Sequence, residues 1–158
     1  MTMAYLVATK SKDPSSKVGA VIVGPDHEVI STGYNGLPRG LLDTKERYSK
    51  PLKYSLINHA EENAILNCSR IGTSTKGCHL YVPWIPCSLC TKSIIQSGII
   101  EVIYHENWPG NSCKESDWAK SIELSNQMLK EAKVNLRSYT GNIIPITGMY
   151  QGKYFDLY

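Results

Sequence analysis

Hydrophobic and polar residues alternate along the chain with two different periods, and these periods predict where helices and strands lie. Segments whose apolar residues favour helices are 3–12, 59–71, 87–98 and 117–133. Runs rich in β-branched and aromatic residues, which favour strands, are 18–24, 28–35, 78–84, 101–105 and 134–139. The first helix is expected to stop at Asp13-Pro14, because proline cannot continue a helix.

The order of these elements predicts the fold class. Only Pro25, Asp26 and His27 separate the first two strands, so these strands are expected to pair as an antiparallel hairpin. Helices and strands then alternate along the chain, which favours a sheet covered by helices. The sequence therefore predicts an α/β protein, a three-layer α/β/α sandwich around a mixed sheet of five strands.

Two segments fall outside this alternation. Residues 37–58 form the long polar connection of the chain, and such loops commonly face a substrate. Residues 139–158 form a C-terminal extension that is rich in tyrosine and has no periodic pattern. The sequence leaves open whether this extension packs on its own domain or on a neighbouring subunit. At 158 residues the whole chain, 1–158, is expected to be a single domain.

The composition excludes several classes of protein. Hydrophobic residues make up 42% and charged residues 20%, which is outside the range of disordered chains. Lysine and arginine number 17 against 14 acidic residues, and the net charge of +3 is not concentrated in an arm for nucleic acid. No window approaches 18 apolar residues, and the first residues lack the apolar segment of a secretory signal. A cytoplasmic protein without a membrane partner is expected.

Five cysteines lie at positions 68, 78, 87, 90 and 113, and in a reducing compartment they are expected to be thiols or metal ligands before disulfides. Only Cys87 and Cys90 have the spacing of a ligand pair. Cys68, Cys78 and Cys113 are expected to be buried or half-buried thiols, because free cysteine often behaves as a small hydrophobic residue.

A histidine and a Cys-x-x-Cys pair carry the candidate metal chemistry. Zinc binds His nitrogen and Cys sulfur tetrahedrally, and a catalytic site uses three protein ligands so that the fourth position can hold water. His59, Cys87 and Cys90 supply three ligands. Both motifs are predicted at helix N-termini, where Pro86 favours initiation and the helix dipole favours thiolates. The 27 residues between His59 and Cys87 leave room for a helix, a turn and a strand, so two helix N-termini can meet at one metal.

Glu61 is predicted to be the catalytic residue and not a ligand, because beside the open position it can take a proton from water and pass it to a substrate. His-x-Glu followed by Pro-Cys-x-x-Cys is the signature of zinc-dependent nucleobase deaminases. Each residue taken singly also fits a simpler role: a capping or buried His59, a Glu61 that favours a first helical turn, or a thioredoxin-like cysteine pair. A non-enzymatic zinc module with a fourth protein ligand is a further alternative.

Beyond these motifs the chain resembles the cytidine deaminase superfamily, and within it the deoxycytidylate (dCMP) deaminases. The segments that carry the resemblance, in family order between about residues 9 and 139, are SKDPSSKVGAVIV, STGYNGLPRG, HAEENAI, KGCHLYV, PCSLC and IIQSGIIEVIY. The resemblance implies a cytidine deaminase-like fold with both zinc-bearing helices on the sheet. It also implies hydrolysis of dCMP to dUMP and ammonia, a step of pyrimidine nucleotide metabolism that feeds thymidylate synthesis. Zinc would activate the water that attacks C4, and Glu61 would move the protons.

The resemblance also suggests which residues contact the substrate. Asn35, within residues 33–40, offers a donor and an acceptor to a base or sugar, although an Asn-Gly turn alone would account for it. Arg39 and residues 15–17 are expected near the 5′-phosphate, with solvated surface as the alternative. The expected substrate-binding residues are Asn35, Ser15, Lys17, Arg39, Asn63 and Trp108, and His105 lies near the last of them.

Two features depart from the family pattern. Trp84 stands where a smaller apolar residue is more usual, so a modified cytosine, as in a 5-substituted dCMP, stays an alternative substrate. A further alternative substrate is dCTP. Residues 37–58 contain neither Cys nor His for the second, structural zinc of some relatives, so one zinc per chain is expected.

Assembly and regulation are implied only by the resemblance. It implies a homo-oligomer, with a hexamer favoured, and the allosteric effectors dCTP and dTTP, accompanied by Mg²⁺ as a further cofactor. A tRNA or other nucleic-acid deaminase is the nearest alternative function. The C-terminal part lacks a concentrated basic segment, so no stable nucleic-acid partner is expected.

Overall fold

Five strands form the central sheet of the computed structural model, which describes residues 1–112, 117–145 and 147–156. The helices are α1 (Thr2–Ala8), α2 (Lys53–Leu56), α3 (Ala60–Ile71), α4 (Ser88–Gln96) and α5 (Asp117–Glu131). The strands are β1 (Gly19–Val23), β2 (Val29–Tyr34), β3 (His79–Val82), β4 (Glu101–His105), β5 (Asn135–Tyr139), β6 (Thr147–Tyr150) and β7 (Lys153–Asp156). Two 3₁₀ segments, Glu46–Tyr48 and Pro109–Ser112, lie in connections.

The central sheet is mixed and has the strand order β2-β1-β3-β4-β5. β1 pairs antiparallel with β2 and β3, whereas β3, β4 and β5 are parallel. The register places Ile22 opposite Leu80 and Leu80 opposite Val102, and all three side chains are fully buried. Parallel strands are normally covered on both faces, which fits the mostly apolar sequence of β4. The predicted five-stranded mixed sheet is confirmed.

Helices cover both faces of this sheet, and two glycines allow the tightest contacts. A Cβ on Gly19 would overlap the backbone of α1, and a Cβ on Gly33 would overlap the backbone of α3 at Ala60. Gly33 pairs with Ala20, the neighbour of Gly19. Because successive residues of a strand point to opposite faces, α1 and α3 lie on opposite sides of the sheet. α4 packs beside α3 and against α5, so the predicted three-layer sandwich is confirmed.

The first helix is shorter than predicted and ends at Ala8. Beyond it, the Ser11 hydroxyl donates a hydrogen bond to the backbone oxygen of Asn35 (2.8 Å), and Asp13 is buried. These contacts hold the chain against the end of β2 instead of allowing further helical turns. The residues between α1 and β1 thereby reach the candidate site.

The long connection at 37–58 is largely irregular, as predicted, but it contains one 3₁₀ segment and the single turn α2. α2 is too short for a periodic pattern to reveal it. Lys53 in α2 forms a buried ion pair with Asp13, with Nζ 2.9 Å from a carboxylate oxygen. An antiparallel bridge between Gly36 and Asn58 joins the two ends of the connection just before α3.

The C-terminal extension contains a β hairpin, an element that its sequence, which has no periodic pattern, did not predict. β6 and β7 pair antiparallel around Gln151 and Gly152, whose φ angles of 49° and 77° suit a type I′ turn. The hairpin packs on its own chain, because the Lys17 backbone N–H donates to the Met149 oxygen (3.2 Å). The Phe155 ring also lies 5.3 Å from that of Trp108, measured between centroids.

Cys68 and Cys78 are free and buried, as predicted, whereas Cys113 lies outside the described residues. Burial raises the pKa of both buried thiols, which makes them poor nucleophiles. Within the described ranges, no helix has both the length and the apolar character needed to cross a membrane.

Candidate active site

His59, Cys87 and Cys90 come together where α3 and α4 begin. His59 and Cys87 immediately precede the two helices, and both have extended backbone, with ψ of 163° and 166°. His59 Nδ1 lies 3.5 Å from Cys87 Sγ and 3.3 Å from Cys90 Sγ. In the part of the chain that the structure describes, this is the one group of His, Cys, Asp or Glu whose ligand atoms lie close enough for a metal, all within 4.8 Å.

The spacing of these atoms fits a tetrahedral zinc ion. Zinc–nitrogen bonds of about 2.1 Å and zinc–sulfur bonds of about 2.3 Å at a tetrahedral angle place nitrogen and sulfur roughly 3.6 Å apart. The separations of 3.5 and 3.3 Å are close to that value, so little movement is needed to bind the ion. Three protein ligands leave a fourth position open, which is the arrangement of catalytic zinc sites.

The three groups interact strongly with one another. A hydrogen bond from the Cys90 thiol, together with one from His59, lowers the pKa of Cys87 to about 4. The hydrogen bond to Cys87 raises the pKa of His59 to about 9, although burial opposes this. The pairing with Cys87 also raises the pKa of Cys90. A metal ion must displace the protons on His59 and Cys90, so we expect metal affinity to rise with pH.

Glu61 lies in the first turn of α3 with its side chain on the wall of a cavity, and it is 5% exposed. Burial raises the pKa of Glu61 to about 7, although the positive charge of His59 opposes this. A carboxyl group with a pKa near neutrality can both accept and donate a proton, as a general acid and base must. The adjacent Glu62 is more exposed and does not line the cavity.

The cavity in front of His59 and Glu61 has a volume of about 610 Å³. The wall beside these residues is apolar and is formed by Trp84, Ile85 and Trp118. The Trp118 ring lies 5.9 Å from the His59 ring and 4.7 Å from the Trp84 ring, measured between centroids. Such a wall can enclose a planar ring and exclude water from it.

A second part of the cavity wall is polar. Its side chains are Asp13, Ser15, Ser16, Lys50, Lys53 and Gln151. The Lys53 ammonium group contacts the Asp13 carboxylate and the Ser15 hydroxyl. The two charged side chains are nearly inaccessible, 10% exposed for Lys53 and 3% for Asp13. Hydroxyl and ammonium donors of this kind suit an anion.

Of the six residues expected to contact substrate, Ser15 and Asn35 line the cavity. Asn35 Oδ1 accepts a hydrogen bond from the Val18 N–H (2.8 Å), and its Nδ2 donates to the Ser16 backbone oxygen (2.9 Å). Both atoms of the amide therefore have backbone partners. Asn35 positions the loop that carries Ser15, a role that the sequence did not indicate.

Lys17 and Trp108 do not line this cavity. Lys17 lies at a smaller cavity between α1 and the β6–β7 hairpin. Trp108 is 1% exposed and belongs to the hydrophobic core. His105 is also buried and forms a 2.5 Å hydrogen bond with the Tyr5 hydroxyl. His105 at the end of β4 and Trp108 beyond it thus face the core in this structure, and neither side chain lines the cavity.

Arg39 and Asn63 also lie outside the cavity wall. The Arg39 guanidinium donates to the side-chain oxygen of Asn67, and Asn63 Nδ2 donates to the Tyr34 backbone oxygen (2.8 Å). Both contacts join α3 to β2 or to the connection that follows it. Each of these two side chains therefore has a hydrogen-bond partner within the fold, and neither of them contributes to the polar wall.

Several cavity residues carry no functional signal in the sequence. They are Lys50, Lys53, Tyr54, Ile57, Trp118, Tyr150 and Gln151. Four of them, Lys50, Lys53, Tyr54 and Ile57, lie within the connection that is predicted to face a substrate, but nothing in the sequence distinguishes them from its other residues. Trp118 has no functional signal either, since a tryptophan at the start of an amphipathic helix usually belongs to the core.

Two helix N-termini that join one histidine and two cysteines, with a buried glutamate beside them, match the zinc-site signature of nucleobase deaminases, carried here on an α/β/α sandwich. Residues 1–106 match the family described as the cytidine and deoxycytidylate deaminase zinc-binding region. The chain belongs to this family, and the resemblance inferred from the motifs is confirmed.

Individual relatives extend the match along the chain. The deoxycytidylate deaminase of Mus musculus is 46% identical over 146 residues, which cover 89% of this chain and 77% of that protein. The deoxycytidylate deaminase of Homo sapiens is 44% identical over 110 residues, 66% of this chain and 61% of that protein. The chain thus spans 61% of the length of the human relative.

A solved structure supports the fold independently. The apo dCMP deaminase of cyanophage S-TIM5 superposes with a TM-score of 0.63 at 25% identity, covering 87% of this chain and 91% of that one. A structure of the same enzyme with dCMP and dUMP gives a TM-score of 0.64 at 24% identity and agrees in fold. The predicted cytidine deaminase-like architecture is therefore confirmed.

Proposed function

We propose that this protein catalyses the zinc-dependent hydrolytic deamination of dCMP to dUMP and ammonia. The observation that carries the proposal is the group formed by His59, Cys87 and Cys90 beside a buried Glu61, at one wall of a nucleotide-sized cavity. The family membership and the names of the mouse and human relatives support the same reaction.

The residues of the site have separable roles in this reaction. When bound by His59, Cys87 and Cys90, zinc supplies a Lewis acid that makes water a nucleophile near neutral pH. Glu61 accepts a proton from the attacking water and delivers it to N3 of the cytosine. It then accepts the proton of the new C4 hydroxyl and delivers it to the 4-amino group, which leaves as ammonia while C4 becomes a carbonyl and N3 keeps its proton. Trp84 and Trp118 enclose the base and keep other water away from it.

The polar wall is the proposed site of the 5′-phosphate. The ammonium groups of Lys50 and Lys53 lie on this wall and can donate to phosphate oxygens, and the Ser15 hydroxyl can do so by exchanging its hydrogen bond to Asp13 for one to the phosphate. Asp13 neutralises Lys53, so the charge of Lys50 and neutral donors carry much of the recognition. Asn35 holds the loop in place through Val18 and the backbone of residue 16.

We further propose one zinc ion per chain, a homo-oligomer with a hexamer favoured, and regulation by dCTP and dTTP with Mg²⁺. Support for assembly comes from exposed apolar side chains on the helices α3, α4 and α5: Leu66, Ile71, Leu89 and Leu124. Exposed apolar surface commonly marks an interface. Light scattering after gel filtration, with and without each nucleotide, tests assembly, and a monomer under all conditions would contradict it.

One substrate panel tests the proposed reaction. Ammonia release is measured from deoxycytidine, dCMP, dCTP, 5-methyl-dCMP and a tRNA anticodon stem-loop, each with and without dCTP or dTTP. We expect dCMP to give the highest kcat/KM, with dUMP identified by chromatography. Deamination of the stem-loop without dCMP turnover would indicate a nucleic-acid deaminase. Zinc binding without turnover of any member would favour a non-enzymatic zinc module.

A further inference from the structure

The β6–β7 hairpin lies outside residues 1–106, the part of the chain that matches the family, yet its turn reaches the cavity. Tyr150, the last residue of β6, and Gln151, the first residue of the turn, both line the cavity wall. No feature of the metal group or of Glu61 requires residues from this hairpin. Its presence at the cavity therefore points to a role of its own.

Backbone hydrogen bonds fix the hairpin turn against the serine loop. The Gly152 N–H donates to the Ser15 backbone oxygen (2.7 Å), and the Lys17 N–H donates to the Met149 backbone oxygen (3.2 Å). The Gln151 N–H also lies 3.5 Å from the Ser16 hydroxyl oxygen. The turn thus sits beside the polar wall, where the 5′-phosphate is proposed to bind.

The Tyr150 side chain joins the two parts of the cavity. Its ring packs edge-on against Trp84 (5.5 Å) and Trp108 (5.9 Å), measured between centroids, which fixes the body of the side chain. Its hydroxyl oxygen lies 3.1 Å from Gln151 Nε2. The hydroxyl and the carboxamide therefore stand together at the polar wall, while the ring remains among the tryptophans.

We propose that Tyr150 and Gln151 are specificity-determining residues that bind the 5′-phosphate and so favour a nucleotide over a nucleoside. This inference rests on the proposed function and names two contacts within that site. The charge of Lys53 is offset by Asp13, so a phosphate needs further donors beyond the ammonium groups. A phenol hydroxyl and a carboxamide N–H supply such donors without adding charge.

Two variants separate this role from a structural one. Tyr150→Phe keeps the ring packing and removes only the hydroxyl, and Gln151→Ala removes the exposed carboxamide together with the γ-methylene that carries it. The zinc-loaded variants are compared with wild type by kcat/KM for dCMP and by the inhibition constants of dUMP and deoxyuridine. Tyr154→Phe is the matched control, since Tyr154 is 72% exposed on β7 and does not line the cavity.

We expect each variant to lower kcat/KM for dCMP and weaken dUMP inhibition about tenfold or more, as for the loss of a hydrogen bond to a charged group. Inhibition by deoxyuridine, which lacks the phosphate, should stay within about twofold of wild type. Equal losses for dUMP and deoxyuridine, or no loss for either, would overturn the inference and leave the proposed reaction intact. Absence of dCMP turnover by wild type would overturn the proposed function and this inference with it.

Discussion

Glu61 and Glu62 are adjacent residues of one type, and their surroundings separate them. Glu61 is 5% exposed and lines the cavity, whereas Glu62 is partly exposed and lies off its wall. Burial raises the pKa of Glu61 to about 7, a value suited to moving protons in both directions. Glu61 can transfer protons and Glu62 cannot, because only Glu61 faces the cavity from the first turn of α3.

Glu61→Gln is expected to abolish deamination while zinc remains bound. The amide keeps the size of the side chain but cannot transfer a proton, so kcat should fall by a factor on the order of 10²–10⁴. Activity on dCMP and zinc content per chain are measured on the same preparation. Glu62→Gln is the matched control and should retain activity. Loss of zinc in Glu61→Gln, or near-normal turnover, would contradict the assigned role.

The Asp13–Lys53 ion pair connects the loop before β1 to α2 at the polar wall. Burial acts to raise the pKa of Asp13, but hydrogen bonds from the Ser15 N–H and hydroxyl and from Lys53 together outweigh it. The pKa of Asp13 is therefore held below its ordinary value of 3.8. A carboxylate of this kind stabilises the fold above its unfolded pKa, and the stabilisation is lost as pH falls through the lower folded pKa.

Asp13→Asn is expected to lower the free energy of unfolding by about 3–5 kcal/mol at pH 7, because it leaves the Lys53 ammonium buried without its partner. The variant should also lose the part of the acid destabilisation of wild type that appears below about pH 4. Urea unfolding between about pH 2.5 and 7 measures both effects. Asp43→Asn is the control, since its exposed pair with Lys12 is screened by water. Equal effects of the two substitutions would contradict the buried-pair interpretation.

The metal ligands could be predicted from sequence because their motifs are local. Cys87 and Cys90 are three residues apart at a helix start, so their spacing indicates a common direction, and His59 and Glu61 belong to one short motif at the start of α3. Trp118 and Tyr150 reach the same cavity from distant segments, and their positions depend on how α5 and the hairpin pack. Residues of this second kind carry no local pattern that separates them from core aromatics.

At the scale of elements, the position of α3 decides whether the metal ligands meet. α3 carries His59 at its start and rests on β2 at Gly33, where there is no room for a side chain. A methyl group at this position would push the backbone of α3 at Ala60 away from the sheet. A movement there is transmitted directly to His59 and Glu61.

Gly33→Ala is therefore expected to destabilise the fold by about 1–3 kcal/mol, the usual cost of overpacking, and to weaken zinc binding. Gly36→Ala is the matched control, because a Cβ there would meet only the Tyr34 ring, at 3.9 Å. Thermal unfolding and competition with a zinc chelator measure the two effects. If Gly33→Ala bound zinc as tightly as Gly36→Ala, the position of α3 would not control the metal site.

The elements that sequence patterns missed are the short ones. α2 has four residues, and β6 and β7 have four each, too few for a helical or alternating period to stand out. The hairpin turn is Gln-Gly, in place of the Asn-Gly or Asp-Gly pair that marks most type I′ turns. These short elements nevertheless supply Lys53, Tyr150 and Gln151 to the cavity, so this part of its wall could not be predicted from sequence patterns, whereas Ser15 and the metal group could.

For the whole molecule, the alternation of helices and strands sufficed to predict the sandwich, because such an order has few compatible topologies. The placement of the hairpin did not follow from that rule. It depends on contacts between residues far apart in sequence, such as the hydrogen bond from the Gly152 N–H to Ser15. The cavity is thus lined both by residues within 1–106, the part of the chain that matches the family, and by the hairpin at residues 147–156.

Zinc removal is expected to lower the stability of the whole domain. The ligands join the start of α3 to the start of α4, and a metal that binds only the folded state stabilises it by RT ln(1 + [L]/Kd), about 2.7 kcal/mol at a free concentration of 100 Kd. For a chain of this length that stabilisation corresponds to a rise in Tm of roughly 5–10 °C. Zinc removal should also lower the Tm more at about pH 8 than at about pH 6, because at the lower pH protons on His59 and Cys90 compete with the metal and weaken its binding.

Calorimetry of the zinc-loaded protein, the chelator-treated protein and the reloaded protein measures this effect. His59→Ala is the control, because without the nitrogen ligand its Tm should hardly respond to the chelator. Recovery of the original Tm on reloading shows that the change comes from the metal and not from damage to the protein. A chelated protein with no remaining zinc and an unchanged Tm would contradict the stabilising role of the metal, and the packing of α3 beside α4 would then suffice to hold the two helices together.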